Sequence, residues 1–266
     1  MLVETRWSAW GEEIEVQETE AAALGSAVAL VGAVLAGAEA ACSLQRGDAE
    51  IHAVNLAQGL PVRVSVGLAR LLRSALWVAR MTDGAVSPLA VEDTLSAVPS
   101  IHPSPTFRDV QIDGDTVLAP WGASFDIAGI AKADTADRAA TLVAHDLECG
   151  ALVRIGSDVA TAGHCPAGGW QVPVPGDGTI ELPTETALAT AGTDATFAGH
   201  DAVGGEWEQV SVLAEDALWA HGAAAAALRR GVGAVTWLEQ QELAARLVDR
   251  DGRVYTTCGW SHPHAA

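Results

Sequence analysis

The chain has 266 residues, enough to bury one large core or two intimate halves, and a formal net charge of −19 from 34 acids against 15 bases. That charge repels phosphate backbones and anionic lipid, which argues against nucleic acid and against a membrane surface as partners. The four cysteines, Cys42, Cys149, Cys165 and Cys258, are far apart and form no CxxC pair; this argues against a zinc ribbon or thioredoxin-type site and fits reduced thiols in a cytoplasmic protein.

Near the N-terminus, "ETRWSAWGEEIEVQ" alternates polar and apolar positions and predicts a strand. Ala21 to Ala38 carries no charge over 18 residues, close to the length of a membrane span. Its small residues, and Glu18 and Glu20 before it in place of a positive leader, predict a buried helix of a soluble protein instead. After the turn signal "QRGDAE", Leu68, Leu71, Leu72, Ala75 and Val78 fall at helical spacing and predict a helix from about Val64 to Met81, closed by "TDGA". Pro99, Pro103 and Pro105 make "SAVPSIHPSP" a loop.

"RDVQIDGDTVLAP" reads as a short hairpin turning at Gly-Asp, and Thr135 to Cys149 as helix. "ALVRIGSDVATAGH" predicts a buried strand, a tight glycine turn and another strand; "GWQVPVP" and "GTIELP" predict two more around "GDG". "EQVSVLAEDALWAHGAAAAALRRG" passes from strand into a helix that Gly231 ends. The tail "LAARLVDRDGRVYTTCGW" is a hairpin turning at Asp251-Gly252. Helices and strands are mixed rather than regularly alternating, so the fold class is α+β, with mixed or antiparallel sheets packed with helices. No repeat or floppy linker divides the sequence, which predicts a single integrated unit over 1–266.

No GxGxxG opening a helix, Walker loop, HExxH or GxSxG is present. The chemistry-bearing stretch is "SFDIAGIAKADTADRAA", which holds Lys132, the only lysine of the chain. It reads as a strand ending at Asp126-Ile127, a small-residue turn at Ala128-Gly129, and a helix whose first turn carries Lys132. Helix-start N–H groups and an ammonium together can receive an anion; the same pattern also makes a plain strand–turn–helix connection with a solvated lysine.

These residues resemble the signature of the ApbE-type FAD:protein FMN transferases: aspartate, an apolar residue, two glycines, isoleucine, alanine, lysine, glycine. Here they are Asp126, Ile127, Ala128, Gly129, Ile130, Ala131, Lys132 and Ala133, with alanine for both outer glycines. Gly156, Ser157 and Asp158 resemble the family's glycine–glycine–aspartate turn, and "ALATAG" from Ala187 to Gly192 its alanine–threonine–serine–glycine segment. "WSAWGE" stands for a methionine–glycine–threonine strand, "AEIHAVN" ends in Asn55, and "TDGAVSPL" and "LVDRDGRVYTTCGW" match further motifs. The resemblance implies an ApbE-like fold that grips FAD along its pyrophosphate. It implies Trp10, Asn55, Asp126, Gly129, Ala131, Lys132, Gly156, Asp158 and Thr190 as cofactor-binding residues. It also implies magnesium-assisted splitting of FAD, with FMN passed to a threonine or serine of an acceptor protein and AMP released.

The metal half departs from that pattern. An aspartate followed four residues later by threonine or aspartate, on one helix face, is replaced here by His221 and Ala225. The remaining candidate ligands are the Ala131 carbonyl and His221, a poor set for a cation that prefers hard oxygens. The histidine–aspartate–proline–arginine segment is shortened to "GHDAVGGE". His221 reads as a catalytic acid or base, or as a packed helix histidine; a soft-metal site with His164 or His200 is a further reading. Two functions follow: an FAD-binding transferase homologue with a degraded magnesium site, or a repurposed homologue that binds another nucleotide or small metabolite with His221 as acid or base.

Overall fold

The computed structural model describes residues 2–90, 105–193 and 205–260. Most of the proline-rich loop expectation, and "GHDAV" with His200, lie outside those residues. The chain divides into two compact units, Met1–Leu35 with Lys132–Ala266, and Ala36–Ala131.

Alternation in "ETRWSAWGEEIEVQ" predicts one strand, but the structure has two, β1 (Val3–Ala9) and β2 (Glu12–Glu18). Trp10 and Gly11 join them at φ 50° and 73°. Two successive residues with positive φ make the tight turn whose twist suits a hairpin. A tryptophan is an unusual occupant of that conformation, so the sequence carries only half a turn signal.

The uncharged segment forms α1 (Leu24–Cys42). It is not the buried helix the sequence predicts: Ala27, Val31, Leu35, Ala38, Ala41 and Cys42 make one buried stripe. Only 28% of its most apolar window is buried, and by length and composition alone the helix is long and apolar enough to cross a membrane. Burial at intervals of three and four keeps the contact to a single face.

The smaller unit contains α2 (Ile51–Asn55), β3 (Val62–Arg63), α3 (Val66–Met81), β4 (Gln111–Asp113) and β5 (Thr116–Leu118), the strands in the order β3-β5-β4. The five apolar positions predicted for α3 are all buried. Ser65 caps it by accepting from the Leu68 N–H at 3.1 Å, and the Ser65 N–H and hydroxyl donate to Glu50 at 2.5 and 2.6 Å. Asp83 and Gly84 end it with positive φ, as "TDGA" predicts.

The next helix, α4 (Ala128–Leu147), starts seven residues before the predicted Thr135. The Ala131 N–H donates to the Ile127 carbonyl at 2.8 Å and the Ala128 N–H to the Asp126 carboxylate at 3.3 Å, so Ala128 and Gly129 are its first turn rather than a separate turn. The predicted strand ending at Asp126-Ile127 is reduced to a single bridge between Leu89 and Phe125. Lys132 therefore lies in the second helical turn, not the first.

The remaining strands are β6 (Ala151–Ile155), β7 (Asp158–Ala162), β8 (Trp170–Val174), β9 (Gly178–Leu182), β10 (Ala187–Gly192), β11 (Trp207–Ala214), β12 (Ala245–Asp249) and β13 (Val254–Thr257). Eight strands form one antiparallel sheet in the order β1-β2-β6-β7-β10-β11-β12-β13. Against β7, β10 and β11 packs α5 (Ala217–Arg230), whose buried face is almost wholly alanine and glycine, so the helix axis approaches the sheet closely. Two carboxylates seat its N-terminus: Asp216 accepts from Trp219 N–H at 2.6 Å, and Asp137 from Ala217 and Leu218 N–H at 2.7 and 2.9 Å. Gly231 ends α5 as predicted, and α6 (Ala234–Gln240) follows, with Trp237 edge-on to Trp219 at 6.2 Å.

The β8–β9 hairpin covers the other side of the sheet, where Trp170, Val172, Ile180 and Leu182 pack with Leu152, Val159, Leu188 and Trp260. Arg246 and the Trp260 indole N–H both hold Asp177 in its turn, at 3.3 and 3.0 Å. This is an α+β architecture of antiparallel sheets packed with helices.

Candidate functional site

Strand alternation decides which side chains can meet. On β2, Glu12, Ile14, Val16 and Glu18 share a face, and their partners on β6 in register, Ile155, Val153 and Ala151, face the same way. Through β6 and β7 that face continues to Asp158, the partner of Ile155. Residues 120 apart in sequence thus come together: the Lys132 ammonium donates to Glu12 Oε1 at 2.6 Å. The ammonium also lies 5.7 Å from the centroid of the Trp10 ring, within range of a cation–π contact.

Gly156 completes this corner. Its φ of +60° suits glycine, and a Cβ there would meet Glu12 Oε2 at 2.6 Å. The glycine is the seat of the Glu12 carboxylate. Sequence reasoning missed Glu12; its position on the same strand face as Ile14 and Val16, opposite the only lysine's helix, was the available signal.

One helical face away, His221 Nδ1 bonds Asp158 Oδ1 at 3.0 Å. Asp158 is buried and the imidazole is one-quarter exposed. Burial presses the imidazole toward its neutral form, but the Asp158 charge and hydrogen bond outweigh it and raise the pKa above the ordinary value, with Lys132 opposing. A raised folded-state pKa gives stability that is complete below the ordinary value near 6.5 and is lost as pH rises through the folded value. Asp158→Asn leaves burial and Lys132 unopposed, so the His221 ring resonances should then titrate below 6.5, against above it in the parent chain. An unshifted titration would remove Asp158 as the cause.

Trp10, Lys132, Gly156, Asp158 and His221 are therefore brought together in the larger unit. Trp10 is buried and supports the lysine more than it presents a free ring. Thr190 belongs to the same unit but not to this face. Asp158 pairs with Ala189, so Thr190 points to the opposite side of the sheet, where its hydroxyl meets that of Ser211 at 2.9 Å. In the smaller unit, Asn55 spends its amide on the backbone of Phe125, donating to the carbonyl at 3.1 Å and accepting from the N–H at 2.8 Å. Asn55 thus positions the segment leading to Asp126, whose N–H is held by the Pro88 carbonyl at 3.0 Å. Gly129 is exposed in the first turn of α4 and Ala131 buried at its end.

Ala225 follows His221 on the same helix face, so the pair presents an imidazole and a methyl group. Among the described residues no cluster of three or more histidine, cysteine, aspartate or glutamate side chains is placed to hold a metal ion. None of the four cysteines is in a disulfide. A cavity of about 390 Å³ in the larger unit is lined by Asp137, Glu185, Glu215 and Asp216 among others, and by none of the predicted site residues.

Comparison with known proteins agrees with the signature. The model of the ApbE family matches residues 8–247, running through both units. A search of curated protein sequences gave no match. Among solved structures, the chain is similar to the apo form of Pseudomonas stutzeri flavinyl transferase ApbE, at 18% identity and a TM-score of 0.79, covering 97% of this chain and 95% of that one. It is also similar to the ApbE protein of Thermotoga maritima, at 19% identity, a TM-score of 0.80 and 97% of both chains. The flavin transferase ApbE of Vibrio cholerae matches at 17% identity, a TM-score of 0.74 and 98% of both chains. At this identity the structures support the fold, while the family match extends over most of the sequence, from residue 8 to residue 247. The chain belongs to the ApbE family.

Proposed function

We propose that the chain binds FAD at the Lys132 corner, and that any passage of FMN to a threonine or serine of an acceptor protein proceeds without magnesium. The observation that carries this reading is the His221–Asp158 pair, 3.0 Å apart, on the helix face where the family pattern has its carboxylate ligands. Magnesium needs several hard oxygen donors in near-octahedral array. An imidazole, a methyl group and a carboxylate already bonded to that imidazole do not supply them, so the residues do not fit this ion.

The chain's own groups suit the remaining tasks. Splitting the pyrophosphate breaks the bond between the FMN phosphorus and the AMP oxygen while an acceptor hydroxyl forms the new one. Negative charge develops on the departing phosphate, and Lys132 supplies a fixed cation for it. With Nδ1 on Asp158, His221 directs Nε2 away from the carboxylate, the arrangement that lets an imidazole move a proton. Phosphate recognition by Lys132 serves another nucleotide equally well, and that alternative would be favoured if FAD fails to bind.

Titrating the purified protein with FAD in the presence of magnesium, and again in a chelator, should give the same affinity, and chelation should leave any AMP release unchanged. Magnesium-stimulated AMP release would overturn the metal-independent reading, and failure to bind FAD would overturn the flavin assignment.

A further inference from the structure

The Lys132 cation is not waiting open: Glu12 Oε1 sits 2.6 Å from it, and the other carboxylate oxygen fills the space that a side chain at position 156 would take. Lys132 and Glu12 side chains are 18% and 26% exposed, so the pair is sheltered but reachable. Glycine without a Cβ usually allows another group to come close; here the group is the protein's own carboxylate. Glu12 already neutralises the ammonium, and Asp158, 3.0 Å from His221 on the same sheet face, adds a second carboxylate to this corner. A phosphate dianion meets repulsion there unless one carboxylate leaves.

Resting on the flavin reading above, we propose that Glu12 is a specificity-determining counter-ion, a built-in anion that a ligand phosphate must displace from Lys132. Glu12 is the first residue of β2, directly after the Trp10-Gly11 turn. Its side chain can swing outward about its own torsions while the β1–β2 ladder stays paired. Bare polyphosphates gain only the lysine contact and must meet the whole cost of expelling Glu12. A ligand that carries its phosphates on a larger body, as a dinucleotide does, offsets that cost with contacts elsewhere. The filter therefore selects against inorganic pyrophosphate.

Calorimetric titration with inorganic pyrophosphate and with riboflavin, which has no phosphate, tests this on the parent chain and on Glu12→Gln. The amide keeps the shape and can still accept from Lys132, but removes the charge. Glu12→Gln should bind pyrophosphate about tenfold or more tightly than the parent, with riboflavin affinity the same in both. Equal or weaker pyrophosphate binding, or pyrophosphate binding by neither protein, would overturn the proposal, as would a parallel gain for riboflavin. Should Glu12→Gln fail the thermal-unfolding check, Glu12→Asp keeps the charge but retreats by one methylene, and a smaller gain for pyrophosphate is then expected, no gain being contrary. FAD binding by the parent chain tests the flavin reading separately, because the pyrophosphate ratio is independent of any flavin.

Discussion

Lys132→Ala should weaken FAD binding by about a hundredfold. A charge-assisted contact to a phosphate contributes roughly 3 kcal/mol at its upper range, which is two powers of ten in affinity. The loss sits at that upper end because removing the ammonium also leaves Glu12 facing the ligand without its cation, so attraction is replaced by repulsion. Lys132→Arg should recover only part of the loss, because a planar, forked guanidinium does not reproduce the point charge that the ammonium places 2.6 Å from Glu12 and 5.7 Å from the Trp10 ring. Calorimetry on the three proteins gives the comparison directly. Unchanged FAD affinity in Lys132→Ala would mean that the lysine serves only the Glu12 pair.

Glu18→Gln should stabilise the fold at alkaline pH by about 3 kcal/mol and do much less near pH 5. Glu18 is fully buried on β2, where one carboxylate oxygen accepts from the Cys149 thiol at 2.7 Å and the other has no hydrogen-bond partner. Burial pushes its pKa from 4.5 up to about 7, only partly opposed by the thiol bond. Because the folded value lies above the unfolded one, the folded chain holds a proton that the unfolded chain has lost between those two values. Stability therefore falls as pH rises from about 4.5 to 7 and is level beyond, as far as this group is concerned. The same contact pushes the Cys149 thiol up to about 12, with burial the larger cause, so that sulfur stays protonated throughout. Urea unfolding at pH 5 and pH 8 would show the difference. An equal change at both pH values would mean that Glu18 is ionised, or neutral, across the whole range.

Which parts of this molecule could be read from its sequence follows from the range of the interactions involved. Hairpins turning at Gly114, Gly156, Gly252 and the 176–178 segment were legible, since glycine with positive φ is a local signal. So was α3, whose five leucine, alanine and valine positions repeat at helical spacing. The turn at Trp10 was not, because a bulky residue took a conformation that glycine or asparagine usually marks. Nor was the true start of α4, where Ala128-Gly129 reads as a break until the Ile127 carbonyl is seen to accept the first helical bond. At the site, the lysine stood out by its solitude and its motif. Its partner did not, because 120 residues separate Glu12 from Lys132 and 63 separate Asp158 from His221. Only the order of strands in the sheet brings such residues into register. Nor could the sequence show that Asn55 bonds the backbone of Phe125 and that Thr190 bonds the hydroxyl of Ser211.

The neighbour of β2 in the large sheet is β6, and between them the ribosome must add roughly 130 residues, on the order of ten seconds of synthesis. Through that interval β2 lacks the partner that covers its second edge in the finished sheet, and that edge is an open template on which a strand of another nascent chain could add. Glu12, Glu13, Glu15 and Glu18 all lie on β2. In the finished fold Glu12 is held by the sole lysine, Glu15 by Arg6 and Arg154, and Glu18 is shut in beside a thiol. On the growing chain the same four charges repel an identical hairpin, and so guard the edge before the fold is complete.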